Sequence, residues 1–135
     1  MNKSQYRKTY EEKQKAKGLC AKCIRPVNQA RLCKKHLEKG RIQFINHSRQ
    51  LKELCLSHYG GKCACCGENR IPFLTIDHIN GNGNVQRKAL FGSNVGGTHM
   101  YRWLIKHSYP SGFQILCMNC NFATRYRNMC PHNIE

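Results

Sequence analysis

Three short stretches decide how this chain folds: Cys-Ala-Cys-Cys-Gly at residues 63–67, Phe-Leu-Thr-Ile-Asp-His-Ile at 73–79, and Gly-Phe-Gln-Ile-Leu-Cys-Met-Asn-Cys-Asn at 112–121. The first is a tight cysteine turn. The second reads as a short buried strand that ends on an acid and a histidine. The third reads as a second strand over 112–116, followed by a helix from Cys117 to about Asn128. Cys63-x-x-Cys66 and Cys117-x-x-Cys120 have the spacing of zinc ligands, so one ion would tie the two strands together across 50 residues. Closing so long a loop is demanding, and metal affinity would offset it. Cys65 stands beside Cys66; the C-x-x-C spacing favours Cys66, because it lets both thiolates meet one ion.

Working outward, Asn80-Gly-Asn-Gly-Asn84 is expected to be a loop. Residues 85–110 are expected to hold one or two short helices, including Met100 to His107, with Trp103 and Leu104 as their core. Arg87, Lys88, Arg102 and Lys106 lie among aromatic residues there, a pattern suited to an element facing nucleic acid. Leu37 to Tyr59 reads as a helix with an imperfect apolar stripe of Leu37, Ile42, Ile45, Leu51, Leu54 and Cys55, stopped by Gly60-Gly61. Before it, Cys20-x-x-Cys23 and Cys33-x-x-His36 form a second four-ligand set suited to tetrahedral zinc. With no open coordination position, such a site is structural. Residues 1–18 form a basic arm or helix. The expected organisation is therefore 1–18 arm, 19–40 knuckle, 41–58 connecting helix, and one domain over 59–135. Cys55, Cys65 and Cys130 remain. Cys55 reads as a small apolar residue of its helix, with Cys55-x-x-His58 and Cys130-x-His132 as an alternative third metal site.

Ten cysteines in 135 residues, with few large apolar side chains, mark a small core that needs staples. The paired spacing points to metal, and the polar start points to a reducing, cytosolic compartment. No apolar run reaches about 18 residues, so no membrane span is expected. Lysine and arginine number 23 against 7 acidic residues, a formal net charge of +16. That imbalance suits a polyanion, above all nucleic acid.

Asp77-His78 alone would be weak evidence of chemistry, because a histidine at a strand end is more often structural. Its surroundings change the reading. C-x-x-C, then Leu-Thr-Ile-Asp-His-Ile, then a Gly/Asn loop, then Leu-Cys-x-x-Cys-Asn resembles the zinc-bound HNH (His-Me finger) endonucleases, closest to the endonuclease VII-like branch often found in phages. The resemblance covers about Tyr59 to Asn128. It implies an α+β fold, small and zinc-stapled, with a ββα-metal nuclease core preceded by a helical region and an N-terminal zinc knuckle. It implies His78 as general base, Asp77 and Asn121 as ligands of one Mg2+ or Mn2+ ion, and Cys63, Cys66, Cys117 and Cys120 as ligands of a structural Zn2+. The implied partner is DNA, duplex or branched, with homodimerisation open and the host-cell cytoplasm as compartment if the chain is phage-encoded.

The chain departs from the family at the middle motif asparagine. Gly112 stands near that place, and Asn94 is a candidate substitute. Arg125 and Arg127, after Asn121, are candidate phosphate contacts, or a solvated basic helix face. The same charge and cysteines also fit a non-catalytic zinc-dependent protein that binds nucleic acid or belongs to a ribonucleoprotein. A protein-binding zinc module of the RING type fits less well, because of the charge and the missing third C-x-x-C pair. The convergence of Asp77, His78 and Asn121 is required by the enzyme alone.

Overall fold

A computed structural model of the chain describes residues 2–92, 96–127, 130 and 132, with the side chains of 125–127 outside that description. Asn94 and the side chains of Arg125 and Arg127 therefore lie outside the described residues. Among the described residues there are five α-helices and one two-stranded antiparallel sheet, so the chain is a small α+β protein. It divides into two compact units, residues 1–46 and 47–135. No described helix is long and apolar enough to cross a membrane.

The first unit opens with α1, Lys3–Ala16. Asn2 caps it reciprocally: its side chain accepts from Gln5 N at 2.9 Å, and the Gln5 side chain accepts from Asn2 N at 3.0 Å. Of the two expectations for this segment, arm or helix, the helix is observed. Gly18, at φ +64°, turns the chain out of it. Leu19 then bridges Pro26, and Cys20 N donates to Arg25 O at 2.9 Å, folding residues 19–26 into a hairpin-like knuckle. The Arg31 guanidinium reaches Glu11 at 2.5 Å and so ties the knuckle loop to α1.

The helix α2 runs Lys34–His58 and crosses from one unit to the other. It begins three residues earlier than the apolar stripe suggests, because Cys33 and His36 form its first turn: His36 N and Leu37 N both donate to Cys33 O. The expected stripe is mostly not buried. Leu37, Ile42 and Leu54 are exposed, whereas Cys55 and Leu56 are fully buried. The reason is local: among the described residues, the buried apolar ones of the first unit are only Cys20, Ala21 and Cys33, so the early turns of α2 find little apolar core there to cover.

The second unit is built on β1, Leu74–His78, entered through a 3-10 turn over Ile71–Phe73, and on β2, Phe113–Cys117. They pair antiparallel, with Leu74 opposite Cys117, Ile76 opposite Ile115 and His78 opposite Phe113. Between them lie α3, Gly83–Phe91, and α4, Thr98–Lys106; α5, Met118–Arg127, follows β2 directly and packs on both strands. The Gly/Asn stretch is shorter as a loop than expected, since Gly83 and Asn84 already belong to α3.

Two small cores result. Leu56, Leu74, Ile115 and Leu116 pack with Cys63, Cys117, Cys120 and Cys130, while Cys55, Met100, Leu104 and Phe113 form the other. Leu104 is the buried centre of α4 and Trp103 packs beside it, as expected. The largest fully buried side chains are only Leu56, Leu74, Leu104 and Ile115, followed by four cysteines. Each such aliphatic side chain contributes about 1.5–3 kcal/mol. One structural zinc is worth about 10–16 kcal/mol at neutral pH. A metal at the cysteines would contribute on the same scale as these four aliphatic side chains together.

Candidate metal centres and the strand-end histidine

Among the described residues, three groups of cysteine and histidine are arranged to hold a metal ion, and in each the ligand atoms lie within 4.8 Å of one another. The first is Cys20, Cys23, Cys33 and His36. Cys23 Sγ is 3.8 Å from Cys33 Sγ, and His36 Nδ1 is 3.4 Å from both Cys20 Sγ and Cys33 Sγ. Zinc bonds of about 2.3 Å to sulfur and 2.0–2.1 Å to nitrogen give tetrahedral edges of about 3.8 and 3.5 Å, so the set is compatible with zinc. Burial opposes ionisation of Cys20, but N–H groups of Cys33 and Lys22 and the His36 ring outweigh it and bring the thiol down to about 6.

The second group is Cys63, Cys66, Cys117 and Cys120. Local backbone explains how pairs so far apart in sequence meet. Gly67 N donates back to Cys63 O and Cys63 N to Glu68 O, closing the turn, while Ala64 N donates to Ile115 O and fastens that turn to β2. Cys117 ends β2 and Cys120 lies in the first turn of α5, so the second pair spans the strand-to-helix junction. Cys66 Sγ and Cys117 Sγ are 3.7 Å apart, and Cys120 N donates to Cys117 Sγ at 3.4 Å. Cys63 is driven down to about 6: burial opposes, and N–H groups of Cys66, Cys117 and Cys65 prevail. Burial and the surrounding thiols push Cys120 strongly up.

The third group is Cys65, Cys120, Cys130 and His132. This corrects the expected alternative, which joined Cys130 and His132 to Cys55 and His58. His58 instead stacks on Tyr109 with ring centroids 4.0 Å apart. Cys55 Sγ lies 3.6 Å from Tyr101 O, and burial pushes its thiol up to about 11, as fits a small core residue. Cys65 was legible as a neighbour of Cys66, and Cys130-x-His132 as a half-site, but no spacing rule joins them.

Asp77 and His78 end β1. Asp77 faces Gln114 across the sheet, and Gln114 Nε2 donates to Asp77 Oδ2 at 3.4 Å, a long bond. The His78 ring is buried against Phe113, with centroids 4.7 Å apart. Its Nε2 is 2.5 Å from Gln86 Oε1. As placed, the Gln86 side-chain oxygen takes up the Nε2 side of the ring, and an amide oxygen can only accept there. The Nδ1 edge faces the start of α3: a Cβ built on Gly83 would sit 2.7 Å from it. Gly83 and Gln86 are thus the partners of His78 that sequence reasoning missed. Asn121 is half-buried on α5, and its backbone oxygen accepts from the Thr124 hydroxyl at 2.9 Å. The described hydrogen bonds of the Asp77 and His78 side chains go to Gln114 and Gln86, not to Asn121.

Of the expected nucleic-acid contacts, Lys88, Arg102 and Lys106 are exposed on α3 and α4. Arg87 is half-buried and donates to Asn84 Oδ1 at 2.5 Å. No protein-family model, curated protein or solved structure matches the chain.

Proposed function

We propose that this chain is a metal-dependent DNA endonuclease of the His-Me finger type, with His78 as general base, built on a ββα core. The observation that carries the reading is the position of His78: it ends one strand of an antiparallel pair whose other strand runs directly into α5, the helix bearing Asn121, at a cysteine junction. The Gln86 contact supports it, because it takes up Nε2 and holds the ring, leaving Nδ1 as the nitrogen that would accept a proton from water.

The donor set fits a hard cation. Asp77 and Asn121 offer oxygen only, both are half-buried, and the long Gln114 contact leaves the Asp77 carboxylate largely uncommitted. Asp77 and Asn121 would hold one magnesium or manganese ion, which when bound stabilises charge on the phosphate and the leaving oxygen. His78 takes the proton from the attacking water. Phe113 and α3 shield its imidazole from bulk solvent. The exposed Lys88, Arg102 and Lys106 supply phosphate contacts, in keeping with the net charge of +16.

A second reading, a non-catalytic nucleic-acid-binding protein, is favoured by one observation: His78 is only 6% exposed and has Gln86 and Gly83 at its two ring nitrogens. Burial and one hydrogen bond at Nε2 are also what a structural histidine shows. Cleavage of supercoiled plasmid with magnesium, comparing wild type with His78→Ala at equal zinc content, separates the two. Cutting by wild type and none by the variant is the expected result. A zinc-loaded wild type that binds DNA but cuts neither plasmid nor branched DNA overturns the enzyme reading. The ratio of nicked to linear product then reports single- or double-strand cleavage.

A further inference from the structure

The second and third cysteine groups are not separate. Together they contain seven residues (Cys63, Cys65, Cys66, Cys117, Cys120, Cys130 and His132), and both contain Cys120. Two tetrahedral ions need eight ligand positions. Seven ligands fill all eight if one of them serves both ions. The shared residue is the one placed to do so: Cys120 is fully buried, in the first turn of α5, within 4.8 Å of the other three ligand atoms of each group.

We propose that residues 63–132 hold two zinc ions with the Cys120 thiolate bridging them, Cys63, Cys66 and Cys117 completing one tetrahedron and Cys65, Cys130 and His132 the other. The inference does not depend on the nuclease reading, since both ions are structural.

Geometry supports the second ion as well as the first. His132 Nδ1 lies 3.2 Å from Cys130 Sγ, 3.5 Å from Cys120 Sγ and 3.9 Å from Cys65 Sγ. These bracket the edge of about 3.5 Å that zinc sets between a sulfur and a nitrogen ligand. The turn at 63–67 divides its thiols between the ions. Cys63 and Cys66, three apart, belong to one group, and Cys65, next to Cys66, belongs to the other. Cys130 is 3% exposed and packs in the main core, an inward placement suited to a ligand.

Charge points the same way. With both ions in place, six thiolates and two dications give a net formal charge of −2, the value of an ordinary four-cysteine zinc centre. A bridging sulfur also shares its negative charge between the ions, which lowers the repulsion between the remaining thiolates.

The test counts metal on the full chain. Purified protein is expected to carry three zinc ions by elemental analysis, one of them in the Cys20 knuckle. The triple variant Cys65→Ser, Cys130→Ser, His132→Ala is expected to carry two. After exchange into cadmium-113, two of the three wild-type resonances are expected to show cadmium–cadmium coupling through the shared sulfur. The triple variant is expected to show two uncoupled resonances. A wild-type count of two, or three uncoupled cadmium resonances, overturns the bridged pair. So does a variant that keeps all three ions. Because none of these readouts involves cleavage, they are unaffected if the endonuclease reading fails.

Discussion

His78 Nε2 and Gln86 Oε1 lie 2.5 Å apart, joining the end of β1 to the second turn of α3 across eight residues. The contact does for the ring what a carboxylate or a backbone carbonyl often does for a working histidine: it holds the plane of the imidazole from Nε2. Gln86 touches neither water nor phosphate in this scheme and is a positioning residue. Gln86→Ala should therefore lower kcat roughly tenfold, a fraction of the 100- to 10,000-fold that a general base contributes. KM and zinc content should be nearly unchanged. Steady-state kinetics on a plasmid or oligonucleotide duplex measures this. An unchanged kcat removes Gln86 from the mechanism.

The same ring sets a steric limit at Gly83. A methyl group there would lie 2.7 Å from His78 Nδ1 and 3.0 Å from the Arg87 guanidinium. The guanidinium can move aside, but the imidazole, buried against Phe113, cannot easily do so. Alanine in a helix gains up to about 1 kcal/mol over glycine. Overpacking costs about 1–3 kcal/mol. The clash should win, so Gly83→Ala is expected to lower the melting temperature of the zinc-loaded protein by a few degrees. A higher melting temperature would mean that α3 is free to slide away from His78.

Metal loading should release protons. Without metal, four thiols sit above their ordinary value of 9.0 and stay protonated at neutral pH. Cys65 and Cys120 are raised first by burial. Cys23 and Cys66 are each raised, against an opposing backbone N–H, by burial and neighbouring thiols. Cys20, Cys63 and Cys130, at about 6, 6 and 7, are already largely ionised at pH 7.5. Zinc takes the thiolate form, so each raised thiol must give up its proton, and affinity rises with pH and falls on acidification. Calorimetric titration in two buffers of different ionisation enthalpy at pH 7.5 should find at least four protons released per chain on full loading. Fewer than four would show that these thiols are not all ligands.

Arg102 and Lys106 are exposed on α4. If they neutralise phosphates, the double substitution to alanine should reduce the slope of log binding constant against log salt by about 0.9 per lost contact, roughly 1.8 in all. Fluorescence anisotropy of a labelled duplex over a sodium chloride series measures it. An unchanged slope would place both residues on a face turned away from DNA.

Much of the second unit is legible before any coordinates. The apolar runs around Leu74 and Ile115 are short and bounded by turn residues, and both form strands within a residue of where they are expected. Both four-ligand sets are recognisable from spacing, because each C-x-x-C or C-x-x-H pair is a local chelate even where the two pairs lie far apart. What the sequence hides is tertiary. Asn-Gly-Asn-Gly-Asn reads as loop on propensity, yet its last glycine starts a helix, and the missing Cβ there leaves room for the His78 ring. Gln86 has no motif around it. Cys130 and His132 lie ten and twelve residues beyond Cys120, too far for a spacing rule, and join it only because the chain returns after α5. The stripe on α2 misleads for the opposite reason: periodicity marks a face but not whether a core exists to receive it.

The placement of the ligands along the chain also has a consequence for biosynthesis. Cys20 to His36 are close in sequence, so that set is complete once this one stretch has left the ribosome. The set that clamps the sheet is not complete until Cys120 has emerged, and Cys65 does not find its partners until Cys130 and His132 follow. The Cys20 knuckle can thus take up metal before the sheet is made. The cysteines of the 63–67 turn wait, reduced and without a full ligand set, while more than fifty further residues are made. The yield of metal-loaded protein should therefore be limited by zinc supply and thiol protection at the step where Cys120, Cys130 and His132 arrive.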